Sequence, residues 1–191
     1  MSHVMATPRD RLILPFMSGF YDGFAKPIGW LVFRVIIGGL LVIEGWSKIM
    51  DPLAQTAFVE SIGFHPGWFF SPLLAGIQVI GGGLMVIGLW TRPAALASTL
   101  MLLVTIWYHI THPYGDAFLT QEGIEFLKAN TQYLTAQGQR QLLTDGGMAF
   151  LHLVQDKAVT NQIFWTVGAA LIAAFGAGRL SVDGAMIGKE F

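Results

Sequence analysis

The sequence predicts an all-α integral membrane protein, a four-helix bundle with a long outer connection between its third and fourth crossings. Three observations predict it. Four apolar runs of roughly 16 to 22 residues match the ~20 that a helix needs to cross ~30 Å of hydrocarbon at ~1.5 Å per residue. Of 191 residues, 53% are hydrophobic and only 12% charged, against about 25% charged in soluble domains, and mean hydropathy is +0.57. The tryptophans (Trp30, Trp46, Trp68, Trp90, Trp107 and Trp165) all stand near the edges of those runs. There an indole buries its ring and keeps its N–H in the hydrated headgroup layer.

The elements follow in order. Residues 1–27 read as a cytoplasmic, interfacial segment, with Phe16, Phe20, Tyr21 and Phe24 at roughly helical spacing. Its apolar patch from Leu12 to Phe16 is interrupted by Pro15, so no cleavable signal is expected and the first crossing serves as insertion signal. Pro27 suits the first turn of a crossing at about 28–48. Asp51-Pro52 ends it, and Pro66 and Pro72 flank the entry to a second crossing at about 69–90. Thr91-Arg92-Pro93 reads as a tight turn into a third crossing at about 93–110, which makes an antiparallel hairpin. The fourth is expected at about 159–178, with a tail over 181–191. Between the last two crossings, residues 111–158 hold amphipathic fragments, so one or two short helices are expected there, broken at Gly146-Gly147. Four crossings leave no room for a second domain.

Lysine and arginine placement sets orientation. Arg9, Arg11 and Lys26 precede the first crossing, Arg92 lies in the tight turn, and Arg179 and Lys189 follow the last crossing. Both termini of this multi-pass protein are therefore expected in the cytoplasm. The lipid bilayer is the first partner. A net charge of -1 gives no reason to expect nucleic acid. The chain has no cysteine, which excludes disulfides, thiolate nucleophiles and iron–sulfur ligation on this polypeptide.

Glycines Gly38, Gly45, Gly81, Gly82 and Gly83 read as helix-packing positions, because small residues let helices approach closely in lipid. Polar groups inside the crossings each need a reason. Arg34 either reaches back to the headgroups along its stem or turns inward to hold a carboxylate or an anion. Arg34, Gly38, Leu41, Gly45 and Lys48 share one helical stripe, with Glu44 to its side and four residues before Lys48, the favourable order for a local ion pair. Gln78 falls near mid-membrane and needs a partner on another helix or the head of a ligand. His109 and His112 flank the outer end of the third crossing. Haem between His109 and His152 has little support from spacing, and no metal site is expected.

Three stretches carry a family likeness: Arg34-x3-Gly38 with Glu44-Gly45-Trp46-Ser47-Lys48; Gly81-Gly82-Gly83-Leu84 with Ile87 to Leu96; and Gly176-Ala177-Gly178-Arg179-Leu180-Ser181-Val182-Asp183. Together they resemble the DoxX family of small bacterial and archaeal membrane proteins, which implies a bacterial or archaeal cytoplasmic (inner) membrane. The resemblance implies a four-helix membrane protein associated with redox systems, some relatives looking like subunits of thiosulfate:quinone oxidoreductases. Where family members often carry a glutamate this chain has Gln78, which removes a charge, and its third connection is longer than a minimal member needs. The expectation is a small subunit of a membrane redox assembly, with quinone as the candidate cofactor and other membrane or membrane-attached subunits as partners. Arg34, Glu44, Lys48, Gln78 and His109 are the candidate polar lining; no catalytic residue is assigned. Arg34 stands too far along its helix to share one compact site with Glu44. A non-catalytic accessory subunit is the main rival, and a transporter ranks third because no repeat or paired helix break is evident.

Overall fold

The computed structural model describes residues 13–112, 120–144 and 148–187. Among these, every regular element is helical. In chain order they are α1 (Pro15–Met50), α2 (Thr56–Ser61), α3 (Gly67–Ile87), α4 (Thr91–Thr111), α5 (Gln121–Ala129), α6 (Ala136–Leu143) and α7 (Met148–Phe175), with a terminal π-turn at Asp183–Ile187. Helices α1, α3, α4 and α7 are long and apolar enough to cross a membrane, and the fold is an all-α membrane bundle. Arg9, Arg11, Gly146, Gly147 and Lys189, which enter the orientation and break expectations, lie outside the described residues. The chain forms two compact units, Met1–Met101 with Thr166–Phe191, and Leu102–Trp165.

In the first unit, α1 starts well before the expected crossing at residue 28. Its 36 residues extend about 54 Å at ~1.5 Å per residue, more than hydrocarbon alone requires. The stretch expected to lie at the interface joins the crossing through a π-turn at Tyr21–Ala25, where Lys26 pairs with Asp22 at 2.6 Å. Pro27, which has no N–H to donate, follows directly on that π-turn, at the start of the α segment Lys26–Met50. The buried residues of the long α segment are Arg34, Ile37, Gly38, Leu41 and Gly45, the stripe that helical spacing turns inward.

That stripe meets α3 at two points. A Cβ at Gly38 would stand 2.6 Å from the carbonyl oxygen of Gly82, and one at Gly82 would stand 2.7 Å from that of Gly38. A Cβ at Gly45 would stand 2.6 Å from Gln78 Cβ and 2.9 Å from Val79 Cγ2. The other glycines differ. A Cβ at Gly81 would stand an ordinary 3.5 Å from Ser98 Oγ, and one at Gly83 would meet nothing within 4 Å. Helix α3 contains Pro72 and widens into a π-turn at Ile77–Gly81, so its residues do not keep strict α-helical phase.

Gly88 ends α3 in the left-handed conformation, φ 76°, and the N–H groups of Gly88 and Leu89 both bond the Leu84 carbonyl, at 2.9 and 3.0 Å. The reversal therefore falls at Gly88–Trp90. Thr91, Arg92 and Pro93, expected as the turn, form the first turn of α4, where proline needs no N–H partner.

The second unit has its own small core. Ile124 of α5, Leu142 of α6 and Leu151 of α7 are buried together, with Leu127, Leu134 and Phe150 around them. Thr120 and Thr135 cap α5 and α6, accepting from the amides of Gly123 and Gly138 at 3.0 and 3.1 Å. Helix α7 begins at Met148, eleven residues before the start expected from hydropathy, because Asp156 and Lys157 interrupt the apolar run without interrupting the helix.

Candidate functional site

Three polar clusters stand within these apolar helices, two in the first unit and one in the second. The first joins α1 to α3. Close approach at Gly45 brings the Lys48 stem alongside the α3 π-turn, and Lys48 Nζ donates to Gln78 Oε1 at 3.0 Å and to Glu44 Oε1 at 3.3 Å. Gln78 is 6% exposed, whereas the Glu44 side chain is 51% exposed. An exposed ion pair is worth about 0–1 kcal/mol. A buried hydrogen bond to a charged group contributes about 1.5–3 kcal/mol. The Lys48–Gln78 contact is the stronger tie. Among the described residues the Gln78 amide nitrogen donates to no acceptor, and the ammonium has a third N–H. The cluster therefore presents hydrogen-bond donors, next to a carboxylate that reaches the surface.

The second cluster ties Arg34 to the segment that follows α7. Arg34 is 1% exposed. Its guanidinium donates to the carbonyls of Ala177 and Leu180 at 2.5 and 2.8 Å, and the Trp30 indole donates to Gly176 at 3.0 Å. Asp183, equally buried, accepts from the Trp90 and Thr91 amides at 3.0 and 3.1 Å and from the Thr91 hydroxyl at 3.1 Å. Its own N–H bonds the Gly88 carbonyl at 2.9 Å. Asp183 thus caps α4 from a distant part of the chain, a carboxylate at the positive end of a helix. Two of the three guanidinium nitrogens of Arg34 are committed to carbonyls. This cluster is a structural lock, and Arg34 stands apart from Glu44, Lys48 and Gln78.

The third cluster lies in the second unit. His109 is buried at the end of α4, and its carbonyl accepts from the Gln155 amide of α7. The residue four beyond His109 is Pro113, which has no N–H, so that carbonyl cannot find a helical partner. Gln155 supplies one. Tyr108 stacks on His112 with ring centroids 4.5 Å apart, and His152 is exposed. No group of three or more His, Cys, Asp or Glu side chains able to hold a metal occurs among the described residues.

Of the five candidate lining residues, then, Glu44, Lys48 and Gln78 meet, Arg34 belongs to the lock, and His109 belongs to the other unit. Sequence reasoning did not single out Asp183, Gly88 or Gln155 for these roles. The missing N–H of Pro113 marks the His109 carbonyl as needing another donor, without naming Gln155 as that donor. Asp183 gave no signal beyond its place in the family likeness, because its partners are over ninety residues away.

Fold and clusters together define a helical membrane protein in which a buried arginine ties α1, and a buried aspartate ties the start of α4, to the segment that follows α7. Residues 29–111 match the DoxX family. The chain is also 32% identical over 119 residues, 62% of its own length and 85% of the relative's, to the "Putative oxidoreductase CatD" of Bacillus subtilis (strain 168). The chain belongs to the DoxX family. No solved structure matches it significantly.

Proposed function

We propose that the chain is a small subunit of a membrane redox assembly, and that Lys48 and Gln78 together bind the carbonyl of a quinone carried in the bilayer. The observation that carries this is the Lys48–Gln78 hydrogen bond of 3.0 Å, which joins an ammonium and an amide with spare N–H groups inside apolar helices. A quinone carbonyl accepts hydrogen bonds only, so the donor set suits it. A bound quinone would supply two-electron carrier chemistry. Glu44, half exposed beside Lys48, is the group able to exchange protons with water. With no cysteine in the chain, thiol or iron–sulfur electron transfer would need another subunit. The name carried by the Bacillus relative supports a redox role. His109 stays a separate candidate, to be tested on its own. The bacterial origin of that relative, with the lysine and arginine placement, supports a cytoplasmic membrane with both termini inside.

Gentle detergent purification followed by native mass spectrometry tests this reading directly. Quinone should be retained, and Lys48→Met and Gln78→Leu should each weaken binding of a short-tailed quinone about tenfold, the loss of one hydrogen bond to a charged or buried group. A lipid-extracted sample with neither quinone nor altered binding in the variants would sink it.

A second reading, an accessory subunit that docks larger proteins, has its own support. Gly29 and Gly39 on α1 and Gly76 and Gly83 on α3 would meet nothing within 4 Å if given a Cβ. Glycine costs about 1 kcal/mol relative to alanine inside a helix, and in lipid its use is close approach of another helix. Of these glycines, Gly76 also lines a shallow apolar groove of about 560 Å³, with Trp68, Phe69, Leu73, Ile80 and Ala94 among its other walls. In this reading the same preparation would retain partner chains while Lys48→Met left their turnover intact.

A further inference from the structure

We propose that α5 and α6 form an interfacial collar, which seats the aromatic pair Phe126 and Tyr133 in the headgroup layer of the bilayer that the chain crosses. The starting point is an unburied apolar edge. Ile124 and Leu142 face the small core, yet Phe126 is 57% and Tyr133 68% exposed, and the two rings stack with centroids 6.1 Å apart and planes 15° from parallel. Leu143 is exposed as well. A phenol beside a phenyl ring suits a layer that is apolar on one side and wet on the other.

Depth is set by α7. From residue 158 to Phe175 the helix carries no Asp, Glu, Lys or Arg, and those 18 residues span about 27 Å at ~1.5 Å per residue, close to the hydrocarbon thickness. Asp156 and Lys157, both exposed, mark the boundary. Leu151, the α7 residue against which Ile124 and Leu142 pack, stands about 9 Å before Lys157 by the same rise. A bilayer of ~40–45 Å with a core of ~30 Å leaves about 5–8 Å of headgroup on each side. A helix is about 10 Å across with its side chains. Elements packed at Leu151 therefore reach into the headgroup layer.

The chain on either side fits the same level. The segment is continuous with a crossing at each end, α4 before it and α7 after it, and Gln155 bonds the His109 carbonyl in the last turn of α4. Between residues 121 and 143 the charges balance: Glu122 and Glu125 against Lys128 and Arg140. The collar has no electrostatic preference for anionic lipid, and its attachment is aromatic insertion.

The absence of cysteine from the chain makes the test direct. Single variants Phe126→Cys, Tyr133→Cys and, as a control on an exposed polar site, Gln137→Cys are spin-labelled in the full-length protein and reconstituted in phosphatidylcholine vesicles. Relaxation by oxygen is then compared with relaxation by a water-soluble nickel chelate. Labels at 126 and 133 should favour oxygen severalfold over the label at 137. Nickel accessibility equal to that at 137 would mean the pair projects into water, and low accessibility to both reagents would mean a protein covers it. Either result overturns the proposal.

Discussion

Gly88 is held by two independent constraints. Its φ of 76° lies where side chains are strained, and a Cβ there would run into the Arg34 guanidinium and the Ser181 Cβ. Either alone would favour glycine; together they leave no alternative residue. Gly88→Ala should lower stability by more than about 1 kcal/mol, read as a fall in the thermal unfolding midpoint in detergent. Gly83→Ala, free of both constraints, should be neutral or raise stability by up to about 1 kcal/mol. An equal effect of the two would mean that the lock around Arg34 contributes little. The sequence marks both glycines within one family likeness and cannot rank them, because the difference lies in φ and in what stands opposite.

Among elements, the contact of α1 with α3 decides whether the Lys48–Gln78 pair exists at all. Carbonyls and side chains across the interface leave no room for a Cβ at Gly38, Gly45 or Gly82, whereas Gly83 is open. Gly82→Val should therefore abolish a monodisperse folded species in detergent, and Gly83→Val should leave it, as size-exclusion chromatography would report. Which of the adjacent glycines faces α1 was hidden by the π-turn at Ile77–Gly81, which shifts the helical phase that spacing arguments assume. The inward stripe of α1 was readable because no such turn interrupts it between Arg34 and Lys48. Helix α7 misled in another way. Hydropathy locates apolar runs, and a helix can continue past one, so a start near Val159 was expected where the helix runs unbroken from Met148 through Asp156 and Lys157.

For the molecule as a whole, four crossings were legible because run length, charge deficit and tryptophan placement all report the same solvent. The candidate site was legible only locally. Glu44 and Lys48 are four residues apart, and Gln78 was an obvious polar intrusion, so their meeting required one helix contact. Arg34 bonds carbonyls 143 and 146 residues away, which no spacing rule reaches. Ending the chain after Phe175 should leave a buried cation without its acceptors and cost about 3–5 kcal/mol. Combining that truncation with Arg34→Met should cost less than the truncation alone. Equal losses in unfolding experiments on the two proteins would show that the carbonyls do not stabilise the arginine.

The same long reach fixes an order of events during biosynthesis. Translation at about 5–20 residues per second delivers Ala177 roughly 7–30 s after Arg34, a separation of 143 residues. Throughout that interval a nascent helix with an unsatisfied guanidinium has to be sheltered, either at the lateral gate of the insertion machinery or by water dragged into the membrane, until Ala177 and Leu180 close around it.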